Sequence, residues 1–171
     1  MRDAGIQPVF KHFPGHGRAS GDTHYGAAHT PSLAELVGAD LVPFRNLLPQ
    51  GGGVMVGHLD VPGLTNGVPA SLSPAAYQLL RTGVGYAALP YTGPVFTDDL
   101  GGMAAISRGH DVPSAVADAL EAGADVALFT NGISLINPVL DRLQGEVASG
   151  RLSMAQVDAS VDRIAHFKGA C

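Results

Sequence analysis

The groups with the most chemistry to offer crowd into one stretch near the start of the chain. It reads Lys11-His12-Phe13-Pro14-Gly15-His16-Gly17-Arg18-Ala19-Ser20-Gly21-Asp22-Thr23-His24. Pro14 has no N–H to give a sheet, and Gly15, Gly17 and Gly21 free the backbone, so the stretch is expected to be a loop. A loop that only reversed the chain would need the glycines and the proline. It would not need Lys11, His12, His16, Asp22 and His24 as well. An imidazole titrates near pH 6.5 and can give and take protons at neutral pH. Asp22 stands two residues before His24. Taken alone, Asp22-Thr23-His24 also fits an Asx-turn with an exposed histidine. Further along stand His58, the pair Asp98-Asp99, and Asn131.

A repeat of strand, loop and helix would position these groups. Short apolar runs predict strands over residues 7–12, 54–58, 94–97 and 125–130. Such runs suit a parallel sheet buried on both faces. Helices are expected over 41–48, capped by Asp40 with Pro43 in the first turn, and over 74–81, opened by Ser73 and Pro74. A short helix is expected over 103–107. Another would start at Asp111 and Pro113 and stop at Gly123. One opens at Asn137-Pro138 and runs to about residue 148. The last, to residue 168, is announced by a Ser153/Gln156 capping box, with Leu152, Val157, Val161, Ile164 and Phe167 as its buried stripe. Residues 82–93 have no clear period. Each predicted strand ends, on its C-terminal side, in a group able to do chemistry: Lys11-His12, His58, Asp98-Asp99 and Asn131. In α/β barrels and open α/β sheets the site lies at that edge, so separate loops would converge on one cleft.

Composition narrows the classes. With 46% hydrophobic and 15% charged residues in 171, the chain has material for one sizeable core. The net charge of -5 and the absence of a basic patch argue against nucleic acid as a partner. No apolar run approaches the roughly 18 residues of a membrane helix. The one cysteine, Cys171, is last in the chain, so no intrachain disulfide forms and a catalytic thiol is not expected. No metal or cofactor is expected. Lysine is a poor metal ligand at neutral pH, and Gly51-Gly52-Gly53 precedes a strand and so does not match a phosphate-binding loop.

Lys11-His12-Phe13-Pro14-Gly15-His16-Gly17, followed by Asp22-x-His24, resembles the signature of the β-N-acetylglucosaminidases of glycoside hydrolase family 3. Val95-Phe96-Thr97-Asp98-Asp99-Leu100 resembles the segment carrying that family's catalytic nucleophile. The resemblance runs in order from about residue 8 to the C-terminal helix. It implies an α/β fold of parallel strands with covering helices, the C-terminal half of a (β/α)₈ TIM barrel. A whole barrel typically takes ~250 residues, so residues 1–171 would form a partial domain without its N-terminal half. Met1 to Gly5 would be the end of a preceding helix. The implied activity is the retaining hydrolysis of terminal β-linked N-acetylglucosamine from cell-wall-type glycans. Asp98 would be the nucleophile, and His24 the general acid and base, paired with Asp22. Lys11 and His12 would bind the sugar, with His16 and His58 beside them and His16 also ordering the loop. Asp99 would support Asp98 or cap the following helix. Arg18 has no role in this scheme and reads as a mobile cation. His29, His110 and His166 read as surface or structural. Two further readings stand: a β-N-acetylglucosaminide phosphorylase, since a neutral imidazole base tolerates an approaching phosphate, and a non-catalytic barrel fragment. The fragment's unpaired strand edges would invite self-association.

Overall fold

β-Branched and aromatic residues dominate the runs at Val9, Gly53 and Val95, and each run forms a strand. A computed structural model describes residues 4–130 and 132–169. In chain order the elements are β1 (Val9–Phe13), β2 (Ala28–His29), α1 (Leu33–Val37), α2 (Val42–Leu47), β3 (Gly53–Val56), β4 (Leu59–Asp60), α3 (Pro74–Thr82), β5 (Val95–Thr97), α4 (Ala104–Ser107), α5 (Val112–Ala122), α6 (Ile136–Ser149) and α7 (Met154–Lys168). The main sheet is parallel in the order β1-β3-β5, with Phe10 opposite Val54 and Val54 opposite Val95. A small parallel pair, β2 with β4, lies apart from it. Parallel neighbours joined through helices are the repeat of a (β/α)₈ barrel, and the described strands form part of one.

The two faces of the sheet differ. Val54, Val56 and Val95 point to the helices and are wholly buried, together with Phe13, Leu36, Leu41 and Leu80. Met55 and Phe96, on the other face, are half-buried, while Val9 and Lys11 are exposed. The expectation of burial on both faces therefore holds only for the helix-covered side. Phe167 of α7 covers part of the open side, its ring edge meeting Phe96 at 6.1 Å.

Several expected boundaries move. β1 ends at Phe13, not His12, because Phe13 is drawn into the core against Phe44 (5.2 Å, edge to face). The Lys11–His12 and Phe13–Pro14 peptide bonds are cis. Asp40 does not cap α2, whose N-cap is Leu41; its carboxylate is turned to Arg18. The helix α1 was not foreseen, although Ser32-x-x-Glu35 announces it. The Glu35 carboxylate accepts from the Ser32 N–H and hydroxyl. The fourth expected strand is reduced to a bridge between Phe96 and Val126, since Thr97 Oγ1 takes the Leu128 N–H and Asp99 takes that of Thr130. Asn131, like residues 1–3 and 170–171, lies outside the described residues. In α7 the stripe is only partly as expected. Leu152 before it is buried and Val157, Ile164 and Phe167 are half-buried, but Val161 is 57% exposed.

Ser160 and Arg163 lead the face of α7 that meets the core. Both bind Asp125, whose side chain has no solvent exposure. The same carboxylate accepts from the Val95 N–H at 2.8 Å and from Arg81 Nη2 at 2.6 Å. One buried anion thus joins α3, β5 and α7. Replacing it leaves two guanidiniums half-buried and unpaired. Asp125→Asn is expected to cost about 3–5 kcal/mol, read as a lowered midpoint in chemical denaturation.

Candidate active site

β1 delivers Lys11 and His12 to the C-terminal edge of the sheet, and the chain turns at once. The Gly15 N–H donates to His12 O at 2.8 Å. Gly15 has φ +136°, and a Cβ there would stand 2.3 Å from Asp40 Cβ, so glycine is required. Lys11, His12, His16, Asp40 and Phe44 line a cavity of about 330 Å³. His12 Nε2 lies 3.4 Å from Asp98 Oδ2, with the two side chains 25% and 16% exposed. Burial pulls the His12 pKa below its usual value, against the opposing pull of Asp98. The His12 ring meets His16 edge-on at 5.6 Å, and His16 Nε2 stands 3.4 Å from the hydroxyl of buried Thr23. His16 therefore ties the two limbs of the loop through the side chain of Thr23.

Asp22 Oδ1 accepts from His24 twice, from the backbone N–H at 2.9 Å and at ring Nδ1 at 2.7 Å. These bonds hold the Asp22 carboxyl below the usual carboxylate range. Both side chains face solvent, at 53% and 67% exposed. With Nδ1 engaged, Nε2 of His24 is the atom free to carry a proton outward.

Asp98 follows β5 directly. Its N–H continues the ladder to Val56 O at 2.9 Å, and its Oδ1 accepts from the Asp99 N–H at 3.0 Å. Asp99 neither caps α4, whose N-cap is Met103, nor faces the cleft freely. Its carboxylate accepts from the N–H groups of Gly101, Gly102 and Thr130 and from the Thr130 hydroxyl. Burial opposes its ionisation, but these bonds outweigh burial and lower its pKa. The loop after Asp99 meets the first loop through backbone bonds: the Ala104 N–H to His24 O and the Ala105 N–H to Thr23 O, at 3.3 and 3.1 Å. Lys11, His12, His16, Asp22, His24 and Asp98 are thereby gathered on one edge.

His58 is not available there. It is 1% exposed, with Nδ1 2.7 Å from Ser71 Oγ and Nε2 2.9 Å from Asp99 O. No ring nitrogen remains for a sugar hydroxyl, which corrects its expected place among the substrate contacts. A hollow of about 960 Å³ also lies elsewhere. It opens at the opposite edge, among Gly52, Pro94 and Phe167, and its Arg81 and Arg163 are committed to Asp125. Sequence reasoning missed Thr23, which bonds to His16 within the same loop, and Asp40 and Thr130, whose partners Arg18 and Asp99 lie 22 and 31 residues away along the chain. Among the described residues no helix is long and apolar enough to cross a membrane.

Parallel strands under helices, with imidazoles and carboxylates collected where the strands end, are the arrangement of the α/β-barrel enzymes. The chain belongs to glycosyl hydrolase family 3: its residues 1–167 match the family's N-terminal domain. It is 58% identical over 170 residues to the beta-hexosaminidase LpqI of Mycobacterium tuberculosis, covering 99% of this chain and 44% of that one. The solved structure of M. tuberculosis LpqI superposes with a TM-score of 0.96 at 57% identity, over 99% of this chain and 50% of that one. A family 3 β-N-acetylglucosaminidase from Paenibacillus gives 0.88 at 36% identity, over 98% and 32%. The chain spans about half the length of LpqI.

Burial also lowers the pKa of His58 below the usual imidazole value. The folded state refuses a proton that the unfolded chain accepts near pH 6.5. Its stabilising contribution is therefore full above about pH 6.5 and is lost as pH falls from there through the lower folded value. His58→Ala is expected to cost about 2–4 kcal/mol at pH 8 and to flatten the decline in stability below pH 6.5, both measured by denaturant titration across pH.

Proposed function

We propose that this chain carries the catalytic residues of a retaining β-N-acetylhexosaminidase acting on glycans with terminal β-linked N-acetylglucosamine, of the cell-wall type. The observation that carries the reading is the pairing of a hydrogen-bonded His24–Asp22 dyad with a held carboxylate, Asp98, on loops joined by backbone bonds. In the first step an Asp98 oxygen attacks the anomeric carbon as the bond to the leaving oxygen breaks. His24 Nε2 gives its proton to that oxygen, while Asp22, bonded at Nδ1, holds the ring in orientation. In the second step water attacks the same carbon. The now neutral His24 takes its proton, and Asp98 departs as carboxylate. Lys11 and His12 stand on a rigid strand end as donors for sugar hydroxyls, and His16 holds the loop behind them.

With these residues carried in a complete family 3 barrel, a mechanism-based fluorosugar is expected to label Asp98, read by peptide mass spectrometry; a label on another carboxylate would sink the assignment. His24→Ala is expected to lower kcat by about 10²–10⁴-fold on glycosides with poor leaving groups. Release of sugar 1-phosphate only when phosphate is supplied would instead make the enzyme a phosphorylase.

The 171 residues alone are expected to turn over little substrate, because the inner face of the sheet stays open beside the site. A chromogenic N-acetylglucosaminide assay checks this. Turnover equal to that of a complete family 3 barrel would show that the site needs nothing further.

A further inference from the structure

Arg18 lies in the loop between His16 and the Asp22–His24 pair, at a position where the chemistry above asks for no cation. It is not mobile. Its Nε and Nη2 both donate to Asp40 Oδ2, at 2.9 and 2.7 Å, and Nη2 also donates to Glu35 O at 3.2 Å. The Asp40 side chain is only 10% exposed. It is packed beneath the loop: a Cβ on Gly15 would strike Asp40 Cβ at 2.3 Å, and one on Gly17 would stand 3.8 Å from its Oδ1. Asp40 thus holds three of four consecutive positions, Gly15, Gly17 and Arg18. It sits on the turn between α1 and α2, flanked by fully buried Leu36 and Leu41. On the far side, Ala104 and Ala105 hold the backbone at Thr23 and His24. Between these anchors the dyad side chains stand in solvent, with no other side chain bonded to His24 among the described residues.

We propose that the Arg18–Asp40 pair is a latch that positions the His24–Asp22 dyad over the cleft, with Arg18 a positioning residue and not a ligand for the sugar. The latch rests on the reading of His24 as the proton donor. A guanidinium suits the task because two of its N–H groups converge on one carboxylate oxygen while a third reaches a carbonyl. A lysine would supply the charge without that geometry.

The test compares Arg18→Ala, Arg18→Lys and Asp40→Asn with the wild type, each carried in a complete family 3 barrel. Two readouts are used. In the first, kcat/KM is measured on aryl N-acetylglucosaminides with a poor (phenyl) and an excellent (dinitrophenyl) leaving group. A misplaced acid matters only where the leaving oxygen needs a proton. Arg18→Ala and Asp40→Asn are therefore expected to lose about tenfold or more on the phenyl glycoside and less than about twofold on the other, with Arg18→Lys between. The second readout is hydrogen exchange across residues 19–25, expected to rise in Arg18→Ala with little change in β3 or α5. Equal losses on both substrates, or no loss on either, would overturn the latch. So would unchanged exchange in the loop. If the wild type cleaves neither glycoside, the glycosidase reading fails. The exchange data alone then decide whether the latch orders the loop.

Discussion

The geometry of the site hangs on two hydrogen bonds that continue the parallel ladder beyond its strands. The Gly57 N–H donates to Phe13 O, and the Asp98 N–H donates to Val56 O. The first sets the end of β1 against the end of β3, and the second sets the end of β5 against β3. Together they leave His12 and Asp98 facing each other at 3.4 Å across the intervening strand. Phe13 makes the first of these rigid, because its ring is locked between Phe44 and Tyr86 in the core. Packing at one residue is thereby converted into precision at its neighbour.

Polar groups below that edge are satisfied to an extent the groups on it are not. His58 spends both ring nitrogens on Ser71 and Asp99, and Asp99 spends both oxygens on the backbone and hydroxyl of the following loops. Asp125 collects two arginines, a serine and a backbone N–H. These buried partners make a stiff floor. Asp22 and His24 stand above it with one another and water, and His24 keeps Nε2 free. A proton donor needs that freedom; a structural histidine does not.

The asymmetry between the sheet's faces has the same logic. Helices α2, α3 and α5 cover one side, where Val54, Val56 and Val95 are sealed. The other side holds the larger but looser groups Met55 and Phe96, met in part by Phe167. In a closed barrel that side is filled by residues from all the strands. The described strands alone do not close it.

Much of this was legible in the chain itself. Glycine and proline mark the signature loop, Asp111 and Ser153 mark helix starts that the structure honours, and the motif residues announce the family. Local chemistry determines such features, because a cap or a turn is made by residues a few positions apart. His58 was misjudged as a substrate contact, Asp40 as a helix cap, Arg18 as a free cation and Val161 as core. Each error has the same source. The partners that fix these side chains (Asp99 for His58, Asp40 for Arg18, Asp125 for the buried face of α7) lie from 22 to about 40 residues away. What residues 1–171 determined by themselves was which groups could do chemistry and which strands would carry them. Which of those groups remained free to do it was decided by tertiary packing, since only the folded chain settles who takes each donor and acceptor.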